Sequence, residues 1–347
     1  MLRGIPPIIQ IFLSNPARIT DLPWRQCLGK NKHMDKKDVF YQEKEACSAE
    51  PTHIMDGAEG SPLREIDELY GAADVLSIQN AGEHRRILFA LSFAGTALTL
   101  AFLLYDEAEL HGLIIACGVM ILCLFFIRYI ADRLSCHTKY LEYRVLAECL
   151  RCQFFLSFAG VKTRVTDLLP WSVREDIPWI REVLLSVPAG DMGEKNSVLD
   201  PWIVDQKKYH KRALEKTVIK DRRDRRITRT VFTITIITYF AALLYELIIY
   251  RNAAGTGNAD LIRAFLKIIL GTMSAVTLFT GSFYGKMSLS NVIDDHKRMI
   301  DLYETVEGEI TEKGESEELL VFLAREFLNE NSTWYAYQSK NGPDFVI

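Results

Sequence analysis

The chain has 347 residues, with 49% hydrophobic and 25% charged residues and a formal net charge of −4. That balance gives no reason to expect a nucleic-acid partner. The averages hide segregation: long uncharged runs alternate with stretches dense in arginine and lysine, which argues against one large soluble core and for a membrane protein.

Residues 1–60 read as an N-terminal cytosolic segment. Its short apolar run, 5–13, holds Pro6, Pro7 and Gln10 and is followed by no small-residue cleavage site, so it does not read as a signal peptide. Residues 61–160 form the first membrane unit. A helix over 61–86 leads into an uncharged span at 87–105, and a second span follows at 113–127. Only 106–111 separate them, which leaves antiparallel neighbours as the one arrangement available. On the first span Ala90, Ala94, Ala97 and Ala101 recur at steps of four, three and four, a spacing that lets helix backbones approach closely in lipid.

A helix then continues out of the second span over 132–159. Leu141, Val145, Cys149, Cys152 and Leu156 make its apolar face, while Arg144, Glu148 and Arg151 lie off it at ion-pair spacing. Cys149 and Cys152 form a CxxC in mid-helix with no second ligand pair, which reads as core packing rather than a zinc or redox site. The other cysteines, Cys27, Cys47, Cys117, Cys123 and Cys136, follow no disulfide spacing and read as reduced thiols.

Residues 161–201 are a proline-punctuated cytosolic linker, with a short helix expected at 178–186. Residues 202–347 form the second membrane unit. A basic helix over 205–229 carries Arg222, Arg223, Arg225, Arg226 and Arg229, which suit positive-inside flanking and contact with anionic lipid. Spans follow at 230–250 and 268–285. The last contains Gly271, Ser274, Leu278, Gly281 and Gly285 as a small-residue stripe. Glu246, with Arg263 and Lys267 at similar depth, reads as an interfacial ion pair or as a pore mouth in an oligomer. The threonines of the third span spread around the helix and are expected to bond back to its backbone. The C-terminal segment is helical, with a turn at Gly314.

Lysine and arginine counts put both termini and the middle segment in the cytosol and both short loops outside. The fold class is therefore all-α, a four-span membrane protein of two hairpins with long cytosolic helices. No phosphate loop, nucleophile elbow or metal-binding string is present, the seven histidines stand isolated, and no catalytic, cofactor or metal residue is assigned. His137-Thr-Lys-Tyr-Leu-Glu142 after the second span is echoed by His296-Lys-Arg-Met-Ile-Asp301 after the fourth, which is compatible with two related halves.

The string Trp202-Ile-Val-Asp205-Gln206-Lys-Lys-Tyr209-His210, running through a basic helix into a hairpin, resembles the opening of SLATT domains. These are two-transmembrane effector domains associated with SMODS nucleotidyltransferases and SLOG sensors. Ala324-Arg325-Glu326 through Glu330 to Trp334 resembles their closing helix. Ala147-Glu148-Cys-Leu150-Arg151-Cys-Gln153-Phe154-Phe155 and the segment from Ala72 through Asp74 to Gln79 resemble motifs of SLOG-linked four-span relatives. The resemblance runs from Pro62 to the end. It implies a bacterial anti-phage or conflict effector that oligomerises and permeabilises the inner membrane on a nucleotide-type signal, without catalytic residues or cofactor. The first sixty residues are too short for a full sensor, so the resemblance further implies either a truncated sensor, with 4–9 as its last strand, or a separate nucleotide-sensing protein. The alternatives are a housekeeping channel or transporter and a non-conducting scaffold.

Overall fold

The computed structural model describes residues 35–55, 63–107, 110–188, 196–250, 257–286 and 289–340, and among them there are helices and no strand. Helix α1, Lys36–Ala46, starts at Asp35, whose carboxylate accepts the Lys37 N–H at 3.4 Å. Helix α2, Arg64–Glu107, has 44 residues and so spans about 66 Å. It carries both the polar helix expected before the first span and the span itself, without a break. Pro62 lies outside the described residues, as does the 4–9 segment.

Helix α3 is Leu113–Leu134 and α4 is Cys136–Phe158. The single helix expected over 132–159 is thus interrupted at Ser135, which adopts φ 49. Its hydroxyl donates to the Asp132 carbonyl at 3.1 Å and its N–H to Ala131 at 3.1 Å, so the last carbonyls of α3 are capped while the chain changes direction. The turn lets α4 pack along α2. Gly160, with φ 71, follows the end of α4, and three short helices come next: α5 (Val165–Leu168), α6 (Trp171–Asp176) and α7 (Pro178–Ser186). The last has the bounds expected from sequence, with its proline in the first turn, where no N–H is needed.

A π-helical turn, Leu199–Val204, opens the second unit. Pro201 has no N–H to give, and the Ile203 N–H reaches five residues back to Val198 at 3.3 Å. Helix α8, Asp205–Leu244, runs 40 residues, about 60 Å, and ends in a second π-helical turn, Tyr245–Tyr250. Helix α9 is Gly257–Lys286 and α10 is Leu289–Lys313. Gly314, with φ 82, turns the chain into α11, Glu317–Lys340.

Four helical stretches are long and apolar enough to cross a membrane, in α2, α3, α8 and α9. Their apolar windows bury at most 6% of their residues within the protein. α2 packs on α3, α8 on α9, and α9 on α2. The hydrophobic core lies elsewhere. It is built from α1, the first turns of α2, α4 to α7, the π turn at Leu199–Val204, α10 and α11, and it draws nothing from the apolar windows. Phe40 of α1 is wholly buried among Tyr41, Tyr143 and Trp179, a burial of about 1.5–3 kcal/mol. Residues 36–46, which the sequence groups with the N-terminal segment, therefore pack into the same core as α4 and α7.

Gly71 of α2 sits under the 51–52 stretch of chain, where a Cβ would land on the Thr52 carbonyl oxygen, whereas a Cβ at Gly82 would meet nothing within 4 Å. Gly71→Ala is expected to destabilise the detergent-solubilised protein by about 1–3 kcal/mol in thermal unfolding. Gly82→Ala should stabilise it by up to about 1 kcal/mol.

Candidate functional site

The middle of α4 carries a charge network inside the core. Glu148 is 4% exposed and bonds Arg144 at 2.5 Å and Arg151 at 2.8 Å, at the i−4 and i+3 positions of one helix face. Each arginine then reaches another helix. Arg151 donates to the Tyr70 hydroxyl of α2 at 2.6 Å and to Gln206 of α8 at 3.2 Å, and its guanidinium lies 5.1 Å from the Tyr70 ring centre. Arg144 bonds Asp74 of α2 at 3.3 Å, and Asp74 accepts from the Thr52 hydroxyl at 3.0 Å. One carboxylate thus organises contacts to α2 and α8, two of the four helices that carry apolar windows.

Burial opposes charge on Glu148, but the two arginines outweigh it and hold its carboxyl below the usual range. Burial likewise opposes charge on Arg151, and Glu148 with Tyr70 outweighs it, so the guanidinium stays protonated. Burial pushes the Cys149 and Cys152 thiols well up. Both are essentially unexposed members of the core, protonated and remote from the reactive thiolate form. Burial also raises the Tyr303 hydroxyl, which has Cys152 and Arg151 as neighbours.

Beside the network two histidines meet. His210 of α8 and His296 of α10 approach with Nδ1 atoms 3.0 Å apart, and His210 lies 5.9 Å from the Tyr303 ring. His84 and His137 form a second ring pair, with centroids 4.6 Å apart, between α2 and α4. Four of the histidines that stand isolated along the sequence are therefore paired in space. Each pair joins the helix entering one set of spans to the helix leaving it, which neither local spacing nor composition signals.

The residues singled out from sequence divide clearly. Trp202 is fully buried and stacks on Phe155 at 5.1 Å and 5°. Gln206 meets Arg151, Glu330 meets Arg298 of α10 at 3.3 Å, and Trp334 meets Tyr140 of α4 edge-on. Tyr209 is 46% exposed and sits edge-on to its neighbour His210, and Glu326 is half-buried. Glu246 accepts from Arg263 at 2.8 and 3.0 Å, while Lys267 turns to Glu107 of α2, at 2.8 and 3.2 Å. These pairs link α8 to α9 and α9 to α2.

Thr233, Thr235 and Thr238 bond back to carbonyls four residues earlier, and Thr235 also meets Thr277 of α9 at 2.7 Å. Gly271 abuts α2, where a Cβ would lie 2.5 Å from Leu103. Ser274, Leu278 and Gly281 are exposed, and Ala90, Ala94, Ala97 and Ala101 are half-covered. The side chain position at 285 lies outside the described residues. Arg222, Arg223, Arg225, Arg226 and Arg229 are all exposed on α8.

Compared with known proteins, the chain matches no family model, no curated protein and no solved structure.

Glu148→Gln leaves two buried guanidinium groups without their counter-charge. It is expected to lower stability to chemical denaturation by about 3–5 kcal/mol. Because the folded carboxyl lies below its unfolded value, the wild-type contribution is present above about pH 4.5 and is lost as the pH falls through and below it. The variant's pH profile should be flatter over that acid range.

Proposed function

We propose that this chain is a multi-pass membrane effector of the bacterial cell membrane. In this reading the four apolar stretches are two transmembrane hairpins, and the termini and the helical core lie in the cytosol. The protein assembles with further copies, and a signal received by the core rearranges the spans and permeabilises the membrane. It works without a cofactor or a catalytic group. The trigger is a nucleotide-type signal delivered by a separate sensing protein, as the SLATT resemblance implies.

The observation that carries this reading is the continuity of α2 and α8. Each runs unbroken from the charge network on α4 into an apolar window, so a shift at Arg144, Glu148 or Arg151 is transmitted along a stiff rod. Contacts at the opposite end of the windows, Glu246 to Arg263 and Lys267 to Glu107, hold α8, α9 and α2 together. Glu246 is the one acid within the four spans and is bonded to Arg263. A transporter would use such a group near mid-membrane. The exposed arginines of α8 stand where anionic headgroups would meet them, at about 1 kcal/mol each.

The test is membrane potential, followed with a voltage-sensitive dye in bacteria expressing the chain from a tight promoter. Gly281 faces open space within one chain, so Gly281→Leu is expected to leave the stability of the purified protein unchanged and to suppress depolarisation by blocking contact between copies. Intact potential and growth in cells with well-inserted wild-type protein, with and without candidate nucleotides, would sink the reading.

A further inference from the structure

The contact of α8 with α10 contains an arrangement that ordinary ion pairing does not explain. On α8, Lys207 pairs with Glu307 and Lys211 with Glu304 at 2.6 Å, and both partners lie on α10. Nearby, His210 and His296 face each other nitrogen to nitrogen at 3.0 Å. Such a bond needs one Nδ1 that carries a proton and one that does not. A second added proton makes both nitrogens donors and destroys it.

The surroundings decide which state persists. From α4, Arg144 and Arg151 bring positive charge, and Glu148, the acid on that side, is already engaged by both. From α10 come Asp295, bonded to Arg298 at 2.6 Å, and the buried Tyr303. From α11 comes Glu330, likewise engaged by Arg298. The π turn offers the Trp202 indole and an exposed Asp200, and α8 itself offers Tyr209. Of these acids Glu148, Asp295 and Glu330 are each engaged by arginine, and two arginines stand close to the histidine pair. Burial, then His296 and the arginines, push His210 down to about 4 against the pull of Glu148, and burial with Arg144 lowers His296 against that of Asp295.

We propose that His210 and His296 form a proton-sensitive latch that holds α8 against α10 while one Nδ1 remains free to accept and releases it when both rings are protonated. The latch lies twenty residues before position 230, roughly 30 Å along α8, so its release frees the base of one apolar helix from the chain that leaves the other. Linkage sets the sign. The folded rings bind protons less well than the unfolded ones, so the contact is intact above pH 6.5 and weakens as the pH falls from 6.5 towards about 4. The latch concerns the α8–α10 contact and does not depend on permeabilisation.

Zero-length carbodiimide cross-linking of the full chain in lipid nanodiscs reads that contact directly, through the Lys207–Glu307 and Lys211–Glu304 products. The Lys36–Glu142 product at 2.6 Å serves as the internal standard for a folded core. In wild type the two α8–α10 products should fall relative to the standard as the pH drops from 6.5 towards about 4, with the opening equilibrium shifting about tenfold per pH unit for each proton taken up. In the double variant His210→Asn with His296→Asn that fall between pH 6.5 and about 4 should be absent. Parallel pH profiles for wild type and the double Asn variant would overturn the latch.

Discussion

Glu148 is the point on which the rest of the structure hangs. A carboxylate at 4% exposure is tolerated only when cations and hydrogen bonds replace its water, and Arg144 and Arg151 do this from the same helix. Both arginines have donors to spare after meeting Glu148, and those donors fix the neighbours: Asp74 and Tyr70 on α2, Gln206 on α8. Directional bonds from two guanidinium forks select one register. That register matters because α2 and α8 are the rods that continue into the apolar windows.

Those windows impose the second constraint. Exposed side chains such as Ile115, Leu122, Phe126, Ile237 and Leu278 leave far more contiguous apolar surface than a soluble monomer carries. The core can dispense with them because it is complete without them, from Phe40 through Trp202 to Tyr335. The described residues thus divide physically into a part that buries its own apolar surface and a part whose apolar surface the chain leaves uncovered. Hydroxyls in the second part behave accordingly: Thr233, Thr235 and Thr238 turn inward to their own backbone.

The spans were legible because a run of about twenty apolar residues without charge is the length and chemistry that a bilayer selects. The ends of α7 and the turn at Gly314 were legible through proline and glycine chemistry. Arg144, Glu148 and Arg151 were visible as an ion-pair spacing, but not as a buried centre. Periodicity places residues on a face and does not say which face another helix will cover. The break at Ser135 carried no signal, since a serine in left-handed geometry is set by the packing of α4 back onto α2 rather than by its own preference. The histidine pairs were invisible for a related reason. His210 and His296 lie eighty-six positions apart and meet only because α8 and α10 pack.

That packing repeats an earlier one. α4 leaves the first pair of apolar helices and lies along α2, which entered it, and α10 leaves the second pair and lies along α8. In each case a histidine of the leaving helix, His137 or His296, meets a histidine of the entering helix, His84 or His210. The weak echo between the sequences after the second and fourth spans therefore sits at corresponding places in two similar units. The units differ in what binds the two helices together. In the first, aromatic and aliphatic burial dominates, with Leu141, Val145 and Phe154 in the core. In the second, exposed or half-buried ion pairs, Lys207 with Glu307 and Lys211 with Glu304, share the contact with apolar residues. Solvent-screened pairs are worth little individually. The contact between the two helices of the second unit accordingly rests less on buried apolar packing than that of the first.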